Sequence, residues 1–248
     1  MRILVLGGTG EARTLATRLA ARPGVEVTLS LAGRTRAPVV PDCAVRIGGF
    51  GGAEGLARAA RDHDILVDAT HPFARRVSAN AEAASAATGV PLVTLDRPPW
   101  QAVAGDHWIR VADMAAAVAA LGPAPRRVFL AIGRQEAGAF RAAPWHAYLI
   151  RSVEPVAPGD LPPDAETLLA RGPFAERDER ALLQQRGIEI VVAKNSGGAA
   201  TYGKIAAARA LGLAVVLIDR EARPGAATTV EEALARLDHP ATSAKRGV

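Results

Sequence analysis

Short apolar runs of strand length alternate with alanine-rich stretches of helical periodicity from the first residues almost to the last. This alternation constrains the chain more than any other feature. Consecutive strands separated by a helix pair in parallel, and their sheet needs helices on its faces. Strands are predicted at 2–6, 26–31, 44–47, 65–68 and 92–95, and helices at 11–21, 53–61 and 73–87. Ala12, Leu15, Ala16 and Leu19 give the first helix one apolar face, and Gly89 with Pro91 ends the third. Arg97-Pro98-Pro99-Trp100 and Ala104-Gly105-Asp106 interrupt the pattern with residues that favour extended or turn backbone. It resumes with strands at 108–111, 127–131, 147–151, 166–170, 189–192 and 214–218, and with helices at 114–121, 174–185 and 201–211. Thr228-Thr229-Val230-Glu231-Glu232 carries a capping box for a last helix to 237. Two α/β parallel-sheet domains facing a cleft are expected, at 1–98 and 99–240, with 241–248 as a flexible tail.

Composition excludes several classes. In 248 residues, 49% are apolar, enough for a sizeable core. No apolar run reaches the roughly 18–20 residues of a membrane span. Met1-Arg2 passes directly into Ile3-Leu4-Val5-Leu6 and glycine, too short for a secretory leader, and the single Cys43 forms no internal disulfide. A soluble cytoplasmic protein, with no membrane partner, is expected. The net charge is +5, with 27 arginines and three lysines scattered along the chain. The lack of a basic run and an aromatic content of 4% speak against nucleic acid. A polyanionic small ligand is the alternative reading of this charge.

Leu6-Gly7-Gly8-Thr9-Gly10-Glu11-Ala12-Arg13 joins the first strand to the first helix. Glycines let the backbone approach a pyrophosphate, and the helix start favours its charge. Gly8 and Gly10 match the dinucleotide fingerprint, whereas Arg13 stands at its third glycine. The context makes the domains Rossmann-like. After the second strand an NAD site carries an acidic residue; here Ser30-Leu31-Ala32-Gly33-Arg34-Thr35-Arg36 follows, and guanidinium groups suit the 2′-phosphate of NADP(H).

Asp68-Ala69-Thr70-His71-Pro72-Phe73-Ala74 follows the fourth strand and belongs to the same edge, with Pro72 expected as the first helical residue. Thr70 and His71 become cofactor contacts; His71 can act as a general acid or simply cap the helix. The five histidines lack metal-ligand spacing, and no metal site is expected. Lys194-Asn195-Ser196-Gly197-Gly198-Ala199-Ala200-Thr201-Tyr202-Gly203-Lys204 joins a strand to a helix and holds two of the three lysines. Its donors suit carboxylates or phosphates. Arg97, Arg134 and Arg171 each follow a predicted strand, where guanidinium forks can hold carboxylates.

These segments, in this order, resemble the precorrin-6A reductase family of cobalamin biosynthesis, including its cobalt-precorrin-6A counterparts. The resemblance is carried by residues 6–13, Asp68-Ala-Thr-His-Pro-Phe-Ala74, Arg97-Pro-Pro-Trp100, Ile132-Gly-Arg-Gln-Glu136, Arg171-Gly-Pro-Phe174, Lys194-Asn-Ser-Gly-Gly198 and Thr201-Tyr-Gly-Lys204. It implies NADPH-dependent reduction of a macrocycle double bond to give precorrin-6B.

By that resemblance Gly7, Gly8, Thr9, Gly10, Glu11 and Ala12 hold the cofactor phosphates and ribose, and Arg34 the 2′-phosphate. Thr70 and His71 lie near the nicotinamide half. Arg97, Arg134, Arg171, Lys194, Ser196, Thr201, Tyr202 and Lys204 anchor the carboxylates of the polycarboxylate macrocycle. Asp68, His71 and Tyr202 are candidates for the proton donor. The alternatives are an NADPH reductase of another polycarboxylate and an NADP-sensing regulatory protein without turnover. The oligomeric state is left open, and a monomer accommodates either reading.

Overall fold

The computed structural model describes residues 1–33 and 41–238. Arg34 and the expected tail at 241–248 lie outside them. The described residues form two compact units, one of those in Met1–Pro98 together with those from Ala222 to Asp238, the other of Pro99–Glu221.

In the first unit, strands β1 (Arg2–Leu6), β2 (Glu26–Leu31), β3 (Ala44–Ile47), β4 (Ile65–Asp68) and β5 (Leu92–Thr94) form one parallel sheet. Their order is β3-β2-β1-β4-β5. Alternate residues of β1 point to opposite faces, which sorts them into two cores. Ile3 and Val5 pack with Leu15 and Leu19 of α1 (Gly10–Ala20) and with Leu234 and Leu237 of a C-terminal helix (Val230–Asp238). Leu4 and Leu6 pack with Leu56 of α2 (Ala53–Ala60) and with Ala81 and Ala84 of α3 (Arg75–Thr88). Both faces are covered, which explains why β1 and β4 read as continuous apolar runs.

The return of the C-terminal helix corrects the expected second domain at 99–240. Val230, Ala233, Leu234 and Leu237 are buried in the first unit's core. Ala227 forms a parallel bridge to Leu95 beside β5. Each such aliphatic side chain removed from water contributes roughly 1.5–3 kcal/mol, enough to draw the segment back. The capping box is present, with Thr229 Oγ1 accepting from the Glu232 amide at 3.1 Å and Glu232 accepting from the Thr228 amide at 2.8 Å. Helix α3 starts at Arg75 rather than at 73, because residues 72 and 73 form a turn.

In the second unit, β6 (His107–Val111), β7 (Arg127–Ala131), β8 (Ala147–Ser152), β9 (Ala165–Leu169), β10 (Ile190–Lys194) and β11 (Ala214–Ile218) form a second parallel sheet, ordered β6-β11-β10-β7-β8-β9. Helix α4 (Met114–Ala120) follows β6. Helices α5 (Glu176–Gln185) and α6 (Gly203–Ala210) pack Leu183, Ile205, Ala207 and Ala208 on Phe129, Leu149, Val191 and Val215. The C-terminal helix of the first unit is α7. Only short 3-10 turns, Ala137–Ala142 and Pro158–Asp160, stand between β7, β8 and β9, where the sequence pattern shows no helix.

Candidate functional site

Each sheet has one place where neighbouring strands send their following connections in opposite directions. In the first unit this reversal lies between β1 and β4; in the second it lies between β7 and β10. Ligands of open parallel sheets bind beyond the carboxyl ends of the strands at such points.

At the first reversal stands the β1–α1 turn. Gly8 has φ of +127° with open space where a Cβ would lie, a conformation that L side chains rarely adopt. Thr9 caps α1 by accepting the Ala12 amide at 3.0 Å, and its hydroxyl donates to the Ala69 carbonyl at 2.9 Å. The turn and the β4 loop are thereby joined. The amides of Gly10 and Glu11 belong to the first turn of α1, whose N–H groups have no intrahelical acceptor and so suit an anion. Glu11 is ion-paired with Arg97 at 2.6 Å. Arg97 thus lies beside the turn of the first unit.

Asp68, at the carboxyl end of β4, is 1% exposed. Its Oδ1 accepts from the Thr70 amide at 3.1 Å and the Thr70 hydroxyl at 2.7 Å, and its Oδ2 pairs with Arg223 at 2.5 Å. Burial pushes the carboxyl up, but Thr70, Arg223 and Ser78 outweigh it and hold it below the usual carboxylate range. Asp68 is ionised at neutral pH, which argues against it as a proton donor. His71 Nδ1 accepts from the Phe73 amide at 3.2 Å. That contact assigns the ring proton to Nε2.

At the second reversal Lys194, the last residue of β10, pairs with Glu136 of the β7 loop at 2.6 Å. Arg134 is exposed on the same loop, and Arg171 is exposed after β9. From β10 to β9 the edge spans three strand spacings, about 14 Å. Ser196 is buried, with its amide donating to the Lys194 carbonyl at 2.7 Å.

Lys204 lies at the start of α6. Its side chain is buried, Nζ donates to the Thr201 carbonyl at 2.6 Å, and it lies over the Trp100 ring at 4.9 Å from the centroid. A buried ammonium needs such partners, and through them Lys204 braces the loop. The Tyr202 hydroxyl accepts from Arg209, which pairs with Asp106 at 2.8 Å. Tyr202, Trp100, Phe174 and Arg209 line a cavity of about 610 Å³ within this unit.

Several structural partners were not singled out from sequence. Asn195 is fully buried, accepts the Trp100 amide at 2.7 Å and donates to the Trp100 carbonyl at 3.2 Å and to Asp219 at 3.1 Å. Arg151 and Glu179 form a buried ion pair between β8 and α5, with Arg151 stacked 3.7 Å from the Phe174 ring centroid. Asn195 lies inside a quoted motif and Asp219 follows a strand end, so position could have flagged both. Arg223 carries no local signal, since Asp68 lies 155 residues away.

A sequence model described as precorrin-6x reductase CbiJ/CobK matches residues 2–238. A precorrin-6A reductase of Sinorhizobium sp is 56% identical, over 96% of this chain and 93% of that one. One from Rhodobacter capsulatus is 53% identical, over 100% and 99%. The solved structure of CobK precorrin-6A reductase matches with a TM-score of 0.89 at 52% identity, covering 100% of this chain and 99% of that one. Motifs, two parallel sheets and full-length similarity therefore agree that the chain belongs to the precorrin-6x reductase family.

Proposed function

We propose that this chain reduces one double bond of the precorrin-6A macrocycle to give precorrin-6B in cobalamin biosynthesis, with NADPH as reductant, in the cytoplasm. The observation that carries this reading is the open glycine turn, joined to the β4 loop, at the β1/β4 reversal. Its residues fit a dinucleotide. No side chain occupies the space over Gly8, and a capped helix start offers amides to a pyrophosphate. Gly7, Gly8, Thr9, Gly10, Glu11 and Ala12 would hold the phosphates and ribose, Arg34 the 2′-phosphate, and Thr70 with His71 the nicotinamide half. When bound, NADPH supplies the hydride.

The chain itself positions the reactants. Arg134, Arg171 and Lys194, spread along one sheet edge, suit a many-armed carboxylic acid. Ser196, Thr201, Tyr202 and Lys204 shape the loop from which Lys194 projects, and Arg97 acts beside the cofactor turn. In this reading the proton that accompanies the hydride comes from water: His71, neutral with its Nδ1 accepting from Phe73, would be left as imidazolate if it gave up its Nε2 proton, and Asp68 has none to give at neutral pH.

The test incubates the protein with metal-free precorrin-6A and either NADPH or NADH. Loss of reduced-nicotinamide absorbance with NADPH, and a product heavier by two hydrogens, are expected. Binding of NADPH without oxidation would favour the regulatory alternative, and equal use of NADH would remove the Arg34 assignment.

A further inference from the structure

Thr70 has one hydroxyl proton, and the structure shows where it goes. Oγ1 donates to Asp68 Oδ1 at 2.7 Å, so only its lone pairs remain for a ligand. The direction of that bond depends on Asp68 being a carboxylate. An isolated buried carboxylate is costly and takes up a proton instead. Arg223 prevents this: Nη1 pairs with Oδ2 at 2.5 Å, Nη2 donates to Ser78 Oγ, and its amide donates to Asp96 at 3.3 Å. One carboxylate oxygen therefore serves Arg223 and the other serves Thr70.

The arrangement sits at the cofactor turn. The Ala69 amide donates to the Leu6 carbonyl at 3.0 Å and the Ala69 carbonyl accepts from Thr9, so the β4 loop cannot shift independently of the β1–α1 turn. We infer that Arg223 is a positioning residue which, through Asp68, sets Thr70 as an acceptor for the amine of the nicotinamide carboxamide. The inference rests on the NADPH reading above and goes beyond it by naming the cofactor group that Thr70 takes. A carboxamide offers both a carbonyl and an amine; a hydroxyl whose proton is committed selects the amine.

The test uses calorimetric titration of the full chain with NADP⁺ and with its 3-acetylpyridine analogue, which keeps the carbonyl and lacks the amine. The wild type is expected to bind NADP⁺ about three- to tenfold more tightly. Thr70→Val and Arg223→Met should bring that ratio close to one, and Arg223→Lys should keep most of it. Asp68→Asn, of unchanged shape, should also lose it, because an amide cannot accept on both sides. A purely structural role for Arg223 would weaken both nucleotides by the same factor and leave the ratio intact, which overturns the inference. Should Arg223→Met fail to fold, Asp68→Asn and Thr70→Val decide, and a retained ratio in either overturns it. Failure of the wild type to bind either nucleotide overturns the cofactor reading itself. Binding of both with a ratio of one overturns only the role given to Thr70.

Discussion

The two sheets present the same topological device with different chemistry. At the β1/β4 reversal, charge is balanced in pairs, Asp68 with Arg223 and Glu11 with Arg97, and what remains is backbone amide, hydroxyl and open room. At the β7/β10 reversal, Lys194 pairs with Glu136 while Arg134 and Arg171 stand exposed along the same edge. A parallel sheet supplies the edge, and the loops decide what it binds. Amides at a capped helix suit a pyrophosphate, whose charge the helix end already favours. Spread cations suit separate carboxylates, each of which needs its own partner.

The sharpest way to separate the two regions is steric. A Cβ at Gly203 would lie 2.4 Å from the Phe174 carbonyl oxygen, and backbone cannot turn aside. Gly203→Ala should cost about 2–3 kcal/mol and lower Tm by on the order of 5–10 °C in calorimetry. Gly7→Ala meets the end of the Leu29 side chain at 2.6 Å, which can rotate. It should cost about 1 kcal/mol; an equal loss in the two variants would show that the approach of α6 to the start of α5 carries no special constraint.

Steady-state kinetics tests the chemical difference. Lys194→Ala removes a charge-assisted contact and should raise KM for the macrocycle about 10- to 100-fold, with KM for NADPH unchanged. Thr9→Val should do the reverse, raising KM for NADPH while costing roughly 1 kcal/mol of stability through the lost helix cap. A shift of both constants in either variant would erase the division of labour.

The smallest effect at neutral pH concerns stability at the extremes. Asp68 is held below its ordinary 3.8, so its contribution is whole above that pH and is lost as pH falls through the folded-state value. In the second unit, burial pushes Tyr148 up from 10.0 to about 12. Its contribution is whole below pH 10 and is lost as pH rises toward 12, because the unfolded chain ionises first. Urea midpoints across both ranges should fall at each end, and Tyr148→Phe should flatten the alkaline limb alone.

Much of this was legible from local pattern. Strand and helix positions follow from apolar periods that neighbouring residues carry among themselves, so β1, β2, β3, β4, β7 and β11 coincide with their predicted ranges. Glycine turns after strands placed the two loops of each reversal at carboxyl ends of parallel strands, since a parallel sheet puts those ends on one edge. The partners of each charge were not legible. The Lys204 ammonium donates to the Thr201 carbonyl, and Asn195 clamps the backbone of Trp100, contacts that no local pattern announces.

By itself, then, the amino-acid order determined the alternation of elements, the two parallel sheets and the loops that carry donors, because each depends on residues a few positions apart. Tertiary structure alone decided that the last helix rejoins the first unit and that Arg223 neutralises Asp68. Apolar burial is non-directional, so it does not name its partner in advance, and a buried charge finds its counterion only once the chain between them has folded.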